Sequence, residues 1–374
     1  MIENAGSRAE VRRPMVAPDW VAMDSVHGSR VMYRRSAGQG IANTWPLVLA
    51  AGEGKRLSRL TMSSSGISIP KQFCSLQPAG PSLMVEALRR GHAVARPNQV
   101  CAIVALEHRR WWSAALAELA SGNVIVQPEN RGTANGVLLP LLHILERDAA
   151  ANIVLLPSDH HVEDEWILAG SLRQAVAQLD RHPDDVVVLG IQPTCADTGL
   201  GYVVPCRDRA GCAPDPSDKV VCFVEKPSAA YAAELIRHGG LWNSFILAVK
   251  AQALLALFEE RVPDIVTEMR EAVRHDIGHP ASALAIYRLY SQLPTLDFSR
   301  DIIEVQETRL RVLQVPHCGW SDLGTPERVE QALRDTNRSH SSQAADCNLH
   351  LTGFLSLASQ CSLLGYNCNA STGP

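Results

Sequence analysis

The stretch Leu47-Val-Leu-Ala-Ala-Gly-Glu-Gly-Lys-Arg-Leu57, followed by Ile69-Pro-Lys-Gln-Phe73, joins an apolar run to a glycine-bearing turn and three cations. Leu47 to Ala51 reads as a strand buried on both faces. Gly52 and Gly54 let the following backbone curl so that its N–H groups face an anion. Lys55, Arg56 and Lys71 add positive charge, and the whole suits a polyphosphate. Two common phosphate motifs fail here. A P-loop would need Gly at position 49 and a hydroxyl at 56, where Leu49 and Arg56 stand. The dinucleotide pattern finds Leu57 at its third glycine and no acidic ribose partner, which argues against a nicotinamide dehydrogenase. An ordinary strand-to-helix turn is the plain alternative.

Outward from this stretch the chain alternates strand and helix. Strands are expected at 100–106, 124–127, 152–156 and 185–191, with helices at 109–119, 136–147 and 166–179. That rhythm predicts an α/β fold, a Rossmann-like three-layer sandwich around a mostly parallel, mixed central sheet. After Ile191 it changes: 199–205, 220–224 and 241–249 read as strands with only short helices between, as in a sheet edge or lid. Helices are expected again at 252–260, 265–275 and 281–290, then a strand at 311–316 and a helix at 326–334. Residues 1–44 read as an N-terminal extension, 45–335 as the main folded domain, and 336–374 as a tail of no assigned role.

The 374 residues are 46% apolar, ample for a core, and the net charge of −4 without a sustained basic stretch gives no footprint for nucleic acid. The ten cysteines show no zinc spacing and read as reduced thiols. No signal peptide or membrane span is evident, so a cytoplasmic location with no membrane partner is expected.

Leu49-Ala-Ala-Gly-Glu-Gly-Lys-Arg-Leu57 with Pro70-Lys-Gln-Phe73 resembles the signature of sugar-1-phosphate nucleotidylyltransferases. The Gln72-Phe73 pair is most similar to the mannose-1-phosphate guanylyltransferases. The resemblance implies transfer of GMP from GTP to mannose 1-phosphate. Ala50, Ala51, Gly52, Gly54 and Lys55 would bind the nucleotide, and Arg56 and Lys71 its triphosphate. Asp159 ends the apolar strand Asn152 to Leu156, where open parallel sheets place ligand-contacting groups, although an Asp there is also a common turn residue. The Pro157-Ser-Asp-His160 segment resembles one that carries a Mg2+-binding aspartate. Gly319-Trp-Ser-Asp-Leu-Gly324 is similar to a second such motif and nominates Asp322.

Val224-Glu-Lys-Pro227 and Trp242-Asn-Ser244 resemble sugar-side motifs, implying that Glu225, Lys226 and Asn243 meet the sugar phosphate. Asp197-Thr-Gly-Leu-Gly-Tyr202 resembles a further turn of the family whose glycines allow close approach of the sugar, which nominates Gly201. Gln127-Pro-Glu-Asn-Arg-Gly-Thr-Ala134 is similar to a base-approaching segment and implicates Gln127 and Thr133. The chain departs from the pattern at Ser58-Arg59, at a serine-rich connector 63–68 that lengthens the phosphate loop, and at Gly132, Asn135 and Phe245. Phe245 stands where Gly is usual. Other pairs, such as glucose 1-phosphate with UTP, dTTP or ATP, stay open, as does a non-catalytic nucleotide-sugar sensor. Oligomeric state is not set by the sequence, and a homo-oligomer is compatible with it.

Overall fold

The computed structural model describes residues 43–63, 66–77, 80–206, 215–279 and 284–341. The expected extension and tail therefore fall almost wholly outside the described residues. Strands β1 (Thr44–Ala50), β2 (Cys101–Ala105), β3 (Val124–Gln127) and β4 (Asn152–Pro157) run parallel in the order β3-β2-β1-β4. β1, β2 and β4 are near-continuous apolar runs because helices cover both faces of the sheet. Side chains alternate between two cores: Leu47, Ile103 and Leu155 face one, and Val48, Val104 and Leu156 the other.

The helices are α1 (Leu83–His92), α2 (Arg109–Ala115), α3 (Gly132–Leu145), α4 (Glu165–Gln178), α5 (Ala229–Arg237), α6 (Ala251–Arg261), α7 (Pro263–Gly278), α8 (Ala285–Tyr290) and α9 (Pro326–Ser341). α3, α6, α7 and α8 cover the first face, and α1, α4 and α9 the second. α1 was not expected from the sequence, and α5 is one of the short helices expected, without bounds, between the strands after Ile191. Each starts at a serine N-cap, Ser82 and Ser228, whose hydroxyls accept from Val85 and Tyr231 N–H, but neither has the glutamate that completes a capping box. α3 begins four residues earlier than its apolar spacing suggests.

Beyond β4 the sheet continues with β5 (Val186–Ile191), β6 (Tyr202–Pro205), β7 (Asp218–Val224), β8 (Leu241–Lys250) and β9 (Leu310–Gln314). The segment read as edge or lid supplies a central strand. β8 runs antiparallel between β4 and β5, with Ile153 opposite Val249 and Val187 opposite Ala248. The crossover through α4 leaves a gap between β4 and β5, and β8 fills it. Its other end also pairs with β6, so β8, β5, β9, β7 and β6 close into a ring of pairings. The parallel pairings therefore concentrate in β1 to β4, and the antiparallel ones in this ring.

A buried ion network holds the ring at β9. The Arg311 guanidinium, 7% exposed, donates to Ser217 O at 2.7 Å and Asp215 at 2.9 Å, and His182 Nε2 lies 2.7 Å from the same carboxylate. Burial alone would raise the Asp215 pKa. The Ser217 N–H, His182 and Arg311 outweigh it and hold the carboxyl at about 2. A folded-state pKa below the unfolded value contributes stability above the unfolded pKa that is lost as pH falls through the folded one. About 2 kcal/mol should therefore disappear between roughly pH 4 and pH 2. Urea unfolding across that window is expected to show a smaller loss for Asp215→Asn than for the parent chain; equal losses would refute the assignment.

Candidate active site

Ala51, Gly52 and Glu53 of the turn after β1, with Gln72, form one wall of a cleft of about 770 Å³ at the C-terminal ends of the parallel strands, and Gly54 and Lys71 pack beside them without lining it. Gly54 has φ +64°, and a Cβ there would lie 3.0 Å from Lys71 Cβ and 3.2 Å from its backbone N. Only glycine lets the two strips pack this closely. The Gln72 amide donates to Ala50 O at 3.0 Å and Gly52 O at 2.8 Å, fixing the loop from beneath. Phe73 is buried and stacked on Trp111, with ring centroids 6.4 Å apart. The serine-rich connector returns on itself: Ser63 N–H donates to Ile67 O at 2.8 Å and Ile69 N–H to Thr61 O at 2.9 Å. That small ladder brings the chain back so that Lys71 lies beside Gly54.

Lys71 is 5% exposed, and its ammonium donates to Asp159 Oδ2 at 3.0 Å and to Asp322 O. It thus binds the ends of two loops far apart in the chain. Ala51 and Gly52 line the cleft, whereas Ala50 lies buried below it. Arg56 is exposed on the short turn Lys55–Leu57 and does not line the cleft. The Lys55 side chain lies outside the described residues.

Asp159 follows β4, where Ser158 anchors the backbone by donating its hydroxyl to Leu49 O at 2.6 Å. Burial disfavours its charge, yet the Lys71 ammonium and His160 hold the carboxyl below its usual range. His160 packs edge-on to Trp320 at 5.3 Å, and its own pKa falls to about 4 because burial penalises the cation. His161 and Ser321 exchange backbone hydrogen bonds of 2.8 and 2.9 Å, which brings the Asp322 turn alongside. Asp322 Oδ1 accepts from Gly324 N–H at 3.2 Å and from the Arg328 guanidinium. Among the described residues no group of three or more His, Cys, Asp or Glu could hold a metal ion.

Across the cleft, Gly201, Glu225, Lys226 and Asn243 come together as the sequence suggested. A Cβ at Gly201 would lie 2.6 Å from Glu225 Oε2 and 3.4 Å from Asn243 Cβ, so the absent side chain leaves this corner open. Lys226 has φ +50° and reaches Glu225 Oε1 at 2.7 Å. Phe245 also has positive φ, +58°. It sits at an irregularity in the β5–β8 register, where Ser244 donates to Leu189 O at 2.6 Å. Its ring meets Phe298 edge-on at 5.9 Å, which offsets part of the cost of a left-handed non-glycine residue.

Gln127 and Thr133 lie on the remaining wall. Gln127 is 1% exposed, its Oε1 has no hydrogen-bond partner among the described residues, and Thr133 Oγ1 accepts from Phe298 N–H at 2.8 Å. The sequence reading missed the segment Thr295, Leu296, Asp297 and Arg300, which completes this wall. It also explains two departures. Gly132 has φ +85°, and a Cβ there would fall 2.1 Å from Leu296 O, while the Asn135 amide bridges Arg131 O at 2.7 Å and Pro294 O at 2.9 Å. Positive φ with glycine is a detectable signal, but its partner strip has no periodic pattern of its own.

A cleft at the C-terminal ends of a parallel sheet, walled by a glycine turn with a buried lysine, defines an α/β protein of the nucleotide-handling kind. A family model described as nucleotidyl transferase matches residues 45–339, and the chain belongs to that family. It is 27% identical over 293 residues to the mannose-1-phosphate guanylyltransferase of Sinorhizobium fredii, covering 76% of this chain and 54% of that one. The alginate biosynthesis protein AlgA of Pseudomonas syringae is 27% identical over 284 residues, covering 75% and 56%. The chain thus spans little more than half the length of these curated relatives. A solved structure described as a mannose-1-phosphate geranyltransferase from Thermus thermophilus superposes with TM-score 0.63 at 27% identity, covering 78% of this chain and 79% of that one. None of the described helices is long and apolar enough to cross a membrane.

Proposed function

We propose that the chain transfers GMP from GTP to mannose 1-phosphate, releasing pyrophosphate and forming GDP-mannose. The observation that carries this reading is Lys71. Its buried ammonium does not itself line the cleft but is held by Asp159 and the Asp322 carbonyl, two residues that do, and the other side of the cleft presents Gly201, Glu225, Lys226 and Asn243. The names of the relatives support the choice of mannose and GTP. In this reading a phosphate oxygen of the sugar attacks the α-phosphorus of GTP in line, and the bond to the bridging oxygen of pyrophosphate breaks. Lys71 orients the triphosphate, Arg56 contributes from the exposed face of its turn, and Lys226 holds the sugar phosphate. Gln127 and Thr133 lie on the base side.

Asp159 and Asp322 are the residues that would hold Mg2+ in this reading. The donor set fits: Asp159 is 38% exposed at its side chain and kept charged, and Mg2+ takes one or two carboxylates with the rest of its shell from water and phosphate. When bound, the ion neutralises charge on the phosphate oxygens. We expect cytoplasmic activity on small molecules, with no membrane or nucleic-acid partner.

A matrix of GTP, UTP, dTTP and ATP against mannose and glucose 1-phosphates tests the reading. GDP-mannose formation with Mg2+ is the expected leading product. Normal turnover by an Asp159→Asn, Asp322→Asn double variant would sink the metal assignment. The departures at Gly132, Asn135 and Phe245 favour a second reading, another nucleotide and sugar pair, which the same matrix detects. Binding of GDP-mannose without turnover of any pair would indicate a sensor.

A further inference from the structure

Arg328, in the first turn of α9, ties the two sides of the cleft together without lining it. One guanidinium nitrogen pairs with Asp322 Oδ1, and the other lies 3.1 Å from Asp197 Oδ2. All three side chains are about four-fifths buried, at 20%, 17% and 20% exposure for Arg328, Asp322 and Asp197. A Cβ at Gly199 would come within 3.2 Å of Arg328 Nη2, so the guanidinium packs directly on the sugar-side turn. Asp197 in turn organises that turn: its Oδ1 accepts from Gly199 N–H at 2.7 Å, its carbonyl accepts from Tyr202 Oη at 3.0 Å, and Tyr202 Oη accepts from Trp242 Nε1 at 3.1 Å. A continuous polar chain therefore runs from Asp322 to the residue beside Asn243.

Both carboxylates assigned to the divalent ion already carry an internal cation, Lys71 at Asp159 and Arg328 at Asp322. A divalent ion adds a third positive centre in the same space, and like charges a few ångströms apart repel strongly where water is sparse. Lys71 keeps a second anchor in the Asp322 carbonyl, and Arg328 keeps one in Asp197. We propose that Arg328 competes with the divalent ion for Asp322, so that metal loading at Asp159 and Asp322 uncouples Asp322 from the Asp197–Tyr202 turn on the sugar side. Arg328 is thus a positioning residue acting through Asp322, and metal occupancy is linked to the freedom of the turn that presents Gly201. The inference rests on the metal assignment made above.

The test is Mn2+ binding to the full chain, followed by the loss of the free-ion resonance at fixed ionic strength. Mn2+ shares the oxygen preference of Mg2+. Arg328→Met is expected to lower the Mn2+ Kd by about three- to tenfold, the scale of a removed charge-assisted pair. Arg328→Lys should fall between, since one ammonium cannot fork to two carboxylates. Asp197→Asn, which leaves the guanidinium wholly to Asp322, should raise the Kd. An unchanged or raised Kd in folded Arg328→Met overturns the proposal. Should that variant not fold, an Asp197→Asn Kd at or below that of the parent chain overturns it instead. Asp322→Asn separates the two levels: if Mn2+ binding ignores Asp322, the metal assignment itself fails. If binding depends on Asp322 and ignores Arg328, only the competition fails.

Discussion

A Lys71→Met variant is expected to lose on the order of 10²- to 10³-fold in kcat/KM for the proposed GDP-mannose formation while keeping its fold. Methionine preserves the length and volume of the buried stem, so the change is close to a pure removal of charge. In transfer to a phosphorus atom the protein supplies mainly position and charge, and a preorganised cation in a site of restricted water is worth about 3 to 4 kcal/mol at the barrier. Stability should change much less, because Asp159 is 38% exposed at its side chain and water can solvate it once its partner is gone. Steady-state kinetics with a thermal melt on the same sample decide it. A kcat/KM within threefold of the parent would remove Lys71 from the chemistry.

The second large effect is structural. Gly132→Ala should destabilise the chain by at least about 2 kcal/mol and impair nucleotide binding further, since the added Cβ would meet Leu296 O at 2.1 Å and Leu296 C at 2.8 Å. A non-glycine residue at φ +85° adds about 1 kcal/mol of strain. The obstacle is backbone on both sides, so relief requires the 294–298 strip to lift from the wall it completes. Gly170→Ala, within α4 with nothing inside 4 Å of its Cβ position, is the matched control and should be neutral or stabilising by roughly 0.5 kcal/mol. Chemical unfolding of both variants checks the contrast. Equal behaviour would mean that the strip is not held as described.

The features legible in the sequence are those whose cause is local. An apolar run long enough for a strand, a glycine pair, cations beside it and an aspartate at a strand end can all be read without knowing what they face, and these located β1, Gly54, Lys71 and Asp159. What the residues face was not legible. Lys71 and the Asp322 carbonyl are 251 positions apart. Gln72 served as a marker of the mannose branch, whereas its physical role is to pin Ala50 and Gly52 from below. The 294–300 strip escaped notice because backbone hydrogen bonds to Arg131, Thr133 and Ala134 hold it, rather than a periodic apolar face. Arg328 reads as an ordinary polar position on an amphipathic helix, and only the fold reveals that two acidic turns converge on it. Arg56 and Lys71, both prominent in the sequence, lie outside the cleft lining, Arg56 exposed on its turn and Lys71 buried against Asp159.

The central place of β8 has a consequence for how the polypeptide is made. β4 ends at Pro157 and has β1 on one side only until β8, ending at Lys250, arrives on the other. At ribosomal speeds of about 5–20 residues per second, that interval lasts roughly 5–20 s, during which the nascent amino-terminal half carries an unpaired, apolar strand edge. Synonymous codon changes that slow translation between these two points should therefore lower the soluble yield, whereas the same slowing after Lys250 should not.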